Sequence, residues 1–289
     1  MTRGLITGGT GYLGQVLIRQ ACALGYDVVA THYTQIPVPV PGVTWAALDV
    51  RDPHAVRSLV EAVHPAWVIH TAFLQNGPEV MAITGEGAGH VAVAAAAVNA
   101  RLIHLSSDVI FDGERDTPYT EDDPPEPVTD YGRAKAHAEA LVAAAHPKAV
   151  LVRTSLIYGF DPIDKISRFV LDVAEGRAAA ALFTDEYRCP IFVEDLAAAL
   201  LELLTLPYQG VLHIAGASCV SRYAMGCLIA QAWQIDPTGI PAGLSATSPI
   251  RRPRNCRLAI TRAQALLQTR LRGIDEVLRE RGGERRERV

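Results

Sequence analysis

The chain has 289 residues, of which 49% are hydrophobic and 20% charged, and its formal net charge is −4. This length is sufficient for one large domain or two modest ones, and the mixed charges exclude the basic surface that nucleic-acid binding requires. Because no run of about eighteen apolar residues occurs and the N-terminus lacks the pattern of a secretory leader, we expect a cytoplasmic protein without a membrane partner.

Short apolar runs alternate with helical patterns from the start of the chain. Buried strands are predicted at 3–7, 27–31, 43–48, 66–70, 101–105 and 149–153, with helices at 11–24, 53–63, 84–99 and 131–146. Strands that alternate with helices form parallel sheets covered on both faces. We therefore predict an α/β fold with a doubly wound parallel sheet of the Rossmann type.

The pattern changes after residue 155, where helices near 165–174, 193–206, 221–234 and 260–280 dominate and one further strand is predicted at 210–214. We divide the chain into a sheet domain, 1–155 plus about 193–215, and a smaller, mostly helical lobe, 156–192 and 216–280. Residues 281–289 are mostly charged and are predicted to be a solvated tail.

A glycine-rich turn joins the first strand to the first helix. Its spacing is Gly8-x-x-Gly11-x-x-Gly14. Glycines allow close approach of a ligand to the backbone, and the N–H groups at a helix N-terminus attract a pyrophosphate. A merely structural turn is the alternative, but the position after the first strand favours dinucleotide binding.

A tyrosine and a lysine, Tyr131 and Lys135, are one helical turn apart at the start of an alanine-rich helix. The chain has nine tyrosines and only three lysines, so about 0.1 such pairs are expected by chance. A cation at this spacing is expected to lower the pKa of the tyrosine and make it a usable proton donor. Ser107, at the end of the 101–105 strand, adds a hydroxyl that should face the ligand crevice.

These residues lie in motifs that resemble the extended short-chain dehydrogenases/reductases, and in particular the dTDP-4-dehydrorhamnose reductase family. The segment 105–113 (LSSDVIFDG) is followed by Tyr131 and Lys135, and 153–159 (RTSLIYG) and 252–258 (RPRNCRL) are similar to later motifs of that family. The resemblance extends over nearly the whole chain. It implies that Ser107 and Tyr131 act on the substrate carbonyl oxygen, with Lys135 as the partner of Tyr131.

The chain departs from this family at three places. Leu156 stands where the family has tryptophan, Thr84 stands where it has asparagine, and Asp185–Ile191 (DEYRCPI) replaces the motif Asp-Gln-x-Gly-x-Pro-Thr. Two of these places should lie near the sugar. The identity of the sugar therefore stays open.

The resemblance also implies which residues contact the ligands, and the sheet domain becomes the NAD(P)-binding domain. The implied cofactor-binding residues are Gly8, Thr10, Gly11, Tyr12, Leu13, Gly14, His32, Asp49, Val50, Thr71, Ala72, Tyr131 and Lys135. The implied substrate-binding residues are Asp108, Val109, Phe111, Arg153, Leu156, Arg188, Arg254 and Asn255. Since no carboxylate ends the second strand to select NAD(H), NADP(H) is favoured, and NAD(H) is kept as an alternative.

No metal site is expected, because the nine histidines lack ligand spacing. The five scattered cysteines are predicted to be free thiols. These are Cys22, Cys189, Cys219, Cys227 and Cys256.

The resulting hypothesis is an NAD(P)H-dependent reductase of a nucleotide-linked 4-keto-6-deoxysugar, with a homodimer as one open expectation. An epimerase or dehydratase of the same superfamily is the first alternative. A non-catalytic cofactor-binding subunit, like the beta subunit of methionine adenosyltransferase, is the second. The expected partner is the nucleotide-sugar substrate, and neither nucleic acid nor a membrane is expected as a partner.

Overall fold

The computed structural model describes residues 2–287, with side chains described as far as residue 281. Seven parallel strands form the central sheet in the order β11-β6-β5-β4-β1-β2-β3. They are β1 (Arg3–Thr7), β2 (Asp27–His32), β3 (Val43–Ala47), β4 (Trp67–His70), β5 (Arg101–Ser107), β6 (Val150–Thr154) and β11 (Gly210–Ile214). This order reverses direction between β1 and β4, which is where such sheets open a ligand crevice. The predicted doubly wound α/β fold is confirmed.

Nine α-helices lie within the described part of the chain. They are α1 (Tyr12–Ala23), α2 (Pro53–Val63), α3 (Gly87–Ala97), α4 (Asp130–Ala145), α5 (Lys165–Ala174), α6 (Val193–Glu202), α7 (Arg222–Ala232), α8 (Thr261–Leu266) and α9 (Ile274–Glu287). Six short strands outside the central sheet form three pairs: β7 (Ile157–Tyr158) with β10 (Ile191–Phe192), β9 (Tyr187–Arg188) with β12 (Val220–Ser221), and β8 (Leu182–Phe183) with β13 (Ala242–Gly243).

Small side chains bring α3 and α4 close to one face of the sheet. Ala88, Ala92 and Ala95 of α3 are fully buried in a core shared with β1, β4 and β5. A side chain at Gly89 would come within 3.0 Å of Leu141 on α4. These small residues therefore let α3 pack closely on the sheet and on α4.

A separate apolar core lies under the elements that follow residue 155. It is built from α5, α7, α9 and the short strand β7, around the fully buried ring of Tyr158. Asp164 caps α5 by accepting from the N–H groups of Ile166 and Ser167, and Ser221 caps α7. These caps fix where both helices begin.

Three predicted elements differ from the structure. The predicted helix 84–99 is a π-helical segment, Met81–Glu86, that continues directly into α3. The predicted helix 260–280 is divided into α8 and α9, because the carboxylate of Glu202 accepts from the N–H groups of Gln268 and Thr269 and holds the chain extended there. The predicted charged tail falls mostly outside the described side chains, although the backbone of α9 continues to Glu287.

Among the described residues, no helix is both long enough and apolar enough to cross a membrane.

Candidate active site

A cavity of about 360 Å³ opens at the carboxyl ends of β1, β2 and β4. Its wall is formed by residues of the glycine turn, by 31–35 after β2, by 48–50 after β3 and by 71–74 after β4. Eight of the predicted cofactor residues line it: Gly8, Thr10, Gly11, His32, Asp49, Val50, Thr71 and Ala72. The cavity therefore lies at the topological switch point, where a dinucleotide binds in this type of sheet.

Two glycines of the turn, Gly8 and Gly14, have no room for a side chain. Gly8 has a φ of 69°, and a Cβ there would lie 2.9 Å from the backbone of Ala72. A Cβ at Gly14 would come within 2.3 Å of the carbonyl oxygen of Gly8. The turn thus packs tightly on α1, and the first N–H groups of that helix point toward the cavity without intrahelical acceptors.

Tyr12 and Leu13 were both predicted to bind the cofactor, but their side chains have different surroundings in the structure. Leu13 is buried in the core beneath the turn. The Tyr12 hydroxyl donates to the carbonyl oxygen of Pro162 at 3.1 Å, and it fills the space where Gly159 lacks a side chain. The ring of Tyr12 thus connects the glycine turn to the segment after β7, and only its backbone is free to meet a phosphate.

Arg51, at the far end of the cavity, is a candidate cofactor-binding residue that the sequence analysis did not identify. Arg51 donates to the carboxylate of Asp49, at 2.9 Å through Nε and 2.6 Å through Nη2, and to the Tyr33 hydroxyl at 2.7 Å. It also forms an ion pair with Glu79 on the rim. Hydrogen bonds from Arg51 hold the pKa of the Asp49 carboxyl below its usual range. The guanidinium lies beside the residues after β2, where the sequence predicted no arginine.

Tyr131 is placed by the start of α4. Thr129 caps this helix by accepting from the Gly132 N–H at 3.0 Å. A Cβ at Gly132 would lie 2.3 Å from the carbonyl oxygen of Val109, so the helix start rests directly on the segment that follows Ser107. The Tyr131 ring also packs 5.9 Å from the ring of Phe73, which lines the cavity. The structure thus brings Tyr131 to the border of the cavity, next to the serine motif.

Lys135 is buried one turn below Tyr131. Its Nζ donates to the carbonyl oxygen of Leu105 at 2.6 Å, and it lies 5.9 Å from the centre of the Tyr131 ring. Burial lowers the pKa of Lys135 to about 8, against a smaller opposing effect of Glu139. Behind it, the buried rings of His70 and His104 stack at 5.3 Å, and burial holds the pKa of His70 at about 3. These two histidines belong to the interior.

The predicted effect of Lys135 on Tyr131 is not what the structure shows. Burial, and secondarily the charge of Asp108, raise the pKa of Tyr131 above its ordinary value. The expected lowering fails because the ammonium is bound to the Leu105 carbonyl instead of the phenol oxygen. Tyr131 is consequently a protonated phenol throughout the neutral range, able to donate its hydrogen.

Asp108 is at the centre of a buried polar group beside Ser107. The Ser107 hydroxyl donates to Asp108 at 3.3 Å and the Ser155 hydroxyl donates to it at 2.6 Å. Burial raises the pKa of the Asp108 carboxyl, while the guanidinium of Arg188, 3.6 Å away, acts in the opposite direction. The aspartate therefore orients two hydroxyls at this end of β5 and β6.

Arg188 supports this group from behind. Its Nη1 and Nη2 donate to the carbonyl oxygens of Tyr187, Pro253 and Arg254, at 2.7, 2.8 and 3.1 Å. The side chain is 4% exposed. Its guanidinium thus joins β9 to the 253–254 segment and forms ion pairs with Asp108 and Glu186, instead of being free for the forked grip on a phosphate that the sequence suggested.

Two of the predicted substrate residues, Arg153 and Phe111, lie in the core, where they contact other groups of the protein. Arg153 is buried, donates to the Glu139 carboxylate of α4 at 2.9 Å and reaches the carbonyl oxygens of Glu121 and Asp123. Phe111 is fully buried and stacks on Tyr119 with ring centroids 4.1 Å apart. Neither side chain has a free surface for a ligand.

Arg254 and Asn255, two further predicted substrate residues, lie against the 114–115 segment. Arg254 forms an ion pair with Glu114 at 2.6 Å, and Asn255 donates to the carbonyl oxygen of Arg115. Leu156 is half-buried against the core around Tyr158. The hydroxyl of Thr84 exchanges hydrogen bonds with the backbone of Leu74, and so shapes the cavity wall.

A second missed candidate is Arg222, the first residue of α7. Glu186, Arg188, Arg252 and Asp108 are its electrostatic neighbours. Among the described residues, its guanidinium has no hydrogen-bond or ion-pair partner. Burial is the main effect on this group and lowers its pKa. An arginine held without a partner among charged neighbours is suited to an anion, and its helix start at 222 was the only signal for it in the sequence.

Comparison with known proteins places this geometry in a family. A profile of the RmlD substrate binding domain matches residues 2–281. The dTDP-4-dehydrorhamnose reductase of Mycolicibacterium smegmatis is 34% identical over 96% of this chain and 84% of its own length. The beta subunit of methionine adenosyltransferase 2 from Rattus norvegicus is 27% identical over 91% of this chain and 82% of its own length.

Among solved structures, the dTDP-4-dehydrorhamnose reductase of Bacillus anthracis in complex with NADP superposes with a TM-score of 0.84. It covers 98% of this chain and 100% of its own, at 23% identity, and shares the fold. With a seven-stranded sheet in this order, and a profile match over almost its whole length, the chain belongs to the RmlD substrate binding domain family.

Proposed function

We propose that the protein is an NADP(H)-dependent reductase of a nucleotide-linked 4-keto-6-deoxysugar. The observation that carries the proposal is the placement of Tyr131, Lys135 and Ser107 at the border of a cavity built for a dinucleotide. The dTDP-4-dehydrorhamnose reductases among its relatives support the substrate class. In our assignment the lobe after residue 155 receives the sugar nucleotide.

The cavity fits a dinucleotide on the evidence of its glycine turn. Side chains at Gly8 or Gly14 would collide with backbone, so the turn packs closely on the N-terminus of α1, where a pyrophosphate would bind. Asp49 and Val50 would hold the adenine end, and Thr71 and Ala72 the middle of the ligand. When bound, the dihydronicotinamide supplies a hydride to the carbonyl carbon.

Side chains of the protein protonate and stabilise the oxygen of that carbonyl. The Tyr131 phenol donates its proton to the developing alkoxide, which is a far stronger base than a phenolate. The Ser107 hydroxyl donates a hydrogen bond to the same oxygen and is oriented by Asp108. Lys135, anchored on the Leu105 carbonyl, places a positive charge beneath the site and would orient the ribose of a bound cofactor.

The cofactor preference can be tested at Arg51. The residues that end β2, Thr31 and His32, bring no carboxylate to the cavity, and Arg51 is the cation beside them. We expect Arg51→Gln to raise KM for NADPH about tenfold with little effect on KM for NADH, since a charge-assisted contact to the 2′-phosphate is lost. Steady-state kinetics with both cofactors gives the ratio. Arg57→Gln, on the exposed face of α2, is the matched control, and an unchanged ratio in Arg51→Gln would exclude the assignment.

The pH dependence of the reaction can be tested through Lys135. Because the pKa of Lys135 is lowered to about 8, its positive charge is present below that pH and is lost as the pH rises above it. We expect kcat/KM for NADPH to be level near pH 7 and to fall about tenfold per pH unit above pH 8. Ionisation of Tyr131 does not cause the fall of kcat/KM above pH 8, because the pKa of this tyrosine is raised above its ordinary value. A level profile to pH 9.5 would contradict the role given to Lys135.

Arg222 is proposed to bind the anionic part of the sugar nucleotide. Replacing it by glutamine should raise KM for the nucleotide sugar about tenfold and leave kcat within about twofold, because the contact is to a part of the substrate that does not react. Arg57→Gln again serves as the control. A fall in kcat with unchanged KM would place Arg222 elsewhere in the mechanism.

A non-catalytic subunit remains the second candidate, because the methionine adenosyltransferase 2 beta subunit is among the relatives. The two are separated by measuring oxidation of NADPH with dTDP-, UDP- and GDP-linked 4-keto-6-deoxysugars. Stoichiometric oxidation with one of them is expected. An epimerase or dehydratase would convert the sugar without net consumption of the cofactor, and a regulatory subunit would convert none of them.

A further inference from the structure

Two cysteines face each other across the short antiparallel ladder at the entrance to the second lobe. In this ladder Arg188 of β9 pairs with Val220 of β12, and Tyr187 pairs with Ser221. The next residues along the two strands are Cys189 and Cys219, which continue the same register. Residues directly opposite each other in an antiparallel pair project their side chains to the same face. The two thiols are therefore neighbours, although they are thirty positions apart in sequence.

The hydrogen-bond pattern determines what kind of pair this is. The Arg222 N–H donates to the Glu186 carbonyl oxygen at 2.9 Å, so residues 186 and 222 form a hydrogen-bonded pair. Hydrogen-bonded and non-hydrogen-bonded pairs alternate along an antiparallel ladder. Residues 189 and 219 therefore fall at a non-hydrogen-bonded position, where the two Cα atoms are closest.

The backbone groups of Cys189 agree with that position. Its carbonyl oxygen accepts from the Gly216 N–H and its own N–H donates to the Ser155 hydroxyl, each at 3.2 Å, so neither bonds to Cys219. At such positions the Cα atoms are about 4.5 Å apart, which lies inside the range of about 4.4–6.8 Å that a disulfide spans. The Cα spacing inferred from this register is therefore one that a disulfide can bridge.

The two thiols differ in exposure and acidity. Cys219 is exposed and Cys189 is buried. A hydrogen bond from the Cys189 thiol, helped by the charge of Arg257, lowers the pKa of Cys219 to about 7, and the same hydrogen bond together with burial raises the pKa of Cys189. The lowered pKa favours the thiolate of Cys219, which is the form that attacks oxidants. Its buried partner is positioned to resolve the product.

We propose that Cys189 and Cys219 are an oxidisable dithiol that closes to an intrachain disulfide when the protein meets a hydroperoxide. The Cys219 sulfur attacks the peroxide and becomes a sulfenic acid as the alcohol, or water from hydrogen peroxide, leaves. The Cys189 sulfur then attacks the sulfenic sulfur, and the sulfenic hydroxyl leaves as water with the proton of the Cys189 thiol as the S–S bond forms. Two thiols are oxidised and one peroxide is reduced. This site is independent of the proposed reductase activity.

The test is mass spectrometry of the full-length protein after oxidation. The chain has no lysine or arginine between Cys189 and Arg222, so trypsin releases both cysteines on one peptide, 189–222. Reduced protein is treated with hydrogen peroxide, denatured, alkylated with iodoacetamide and digested. We expect the 189–222 peptide to lose two hydrogen atoms and to escape alkylation. Cleavage after Glu194 and Glu202 should then leave two linked fragments, which dithiothreitol separates.

Single variants provide the controls. Cys219→Ser should reduce the disulfide signal at least tenfold and leave Cys189 open to alkylation after denaturation, whereas Cys227→Ser, on α7, should behave as the parent protein. Three results would overturn the proposal: full alkylation of both cysteines after peroxide, conversion of Cys219 to a sulfinic acid with Cys189 still alkylated, or a Cys219 disulfide between two chains.

Discussion

Replacing Tyr131 by phenylalanine is expected to lower kcat/KM for reduction of the 4-keto sugar by about 10²–10⁴-fold, the usual contribution of a positioned general acid. The substitution removes one hydroxyl and keeps the ring, which packs on Phe73 at the cavity wall. The affinity for NADPH should consequently stay within about twofold. Stopped-flow oxidation of NADPH gives the rate, and quenching of protein fluorescence by NADPH gives the affinity.

Tyr26→Phe is the matched control for this experiment. Tyr26 packs edge-on against Trp67 beneath the sheet, away from the cavity, so its hydroxyl should be dispensable. If Tyr131→Phe retains the parent kcat with the substrate that the parent reduces fastest, the phenol is not the proton donor. Loss of NADPH binding together with activity would indicate instead that Tyr131 shapes the cofactor site.

Much of the fold follows from local sequence pattern. Between Arg3 and Thr154, apolar runs alternate with amphipathic segments, and this pattern predicts that strands alternate with helices along the chain. Such an alternation is typical of a parallel sheet. The glycine spacing predicts the first turn for a steric reason that the structure makes explicit at Gly14. Tyr131 and Lys135 were recognisable because their spacing on one helix face is itself a local property.

What the sequence did not reveal depends on contacts between distant segments. Arg51 donates a hydrogen bond to the hydroxyl of Tyr33, which follows β2. No local sequence pattern indicates a partner eighteen residues away. The break between α8 and α9 is caused by Glu202, which lies on another helix. The pKa of Tyr131 is raised because the site is buried near Asp108, whereas spacing on the helix pointed only to Lys135.

The largest stability effect is expected at Arg153, whose role the structure changes. Its guanidinium and the Glu139 carboxylate are both less than a tenth exposed, and the pair connects helix α4 to β6. Arg153→Met should lower the free energy of unfolding by about 3–5 kcal/mol, because it leaves the carboxylate buried and without its charge partner. Urea denaturation followed by circular dichroism measures the change.

The double variant Arg153→Met/Glu139→Leu distinguishes this explanation from simple loss of packing. If the isolated carboxylate is the main cost, removing it as well should recover most of the lost stability, since two buried charges replaced by apolar groups are often tolerated. Recovery will be incomplete, because Arg153 also donates to the Glu121 and Asp123 carbonyl oxygens. If the double variant is no more stable than Arg153→Met, the packing of Arg153 on the Phe111 ring is the main contribution. A substrate-binding arginine would behave differently from both, raising KM while leaving the urea midpoint where it was.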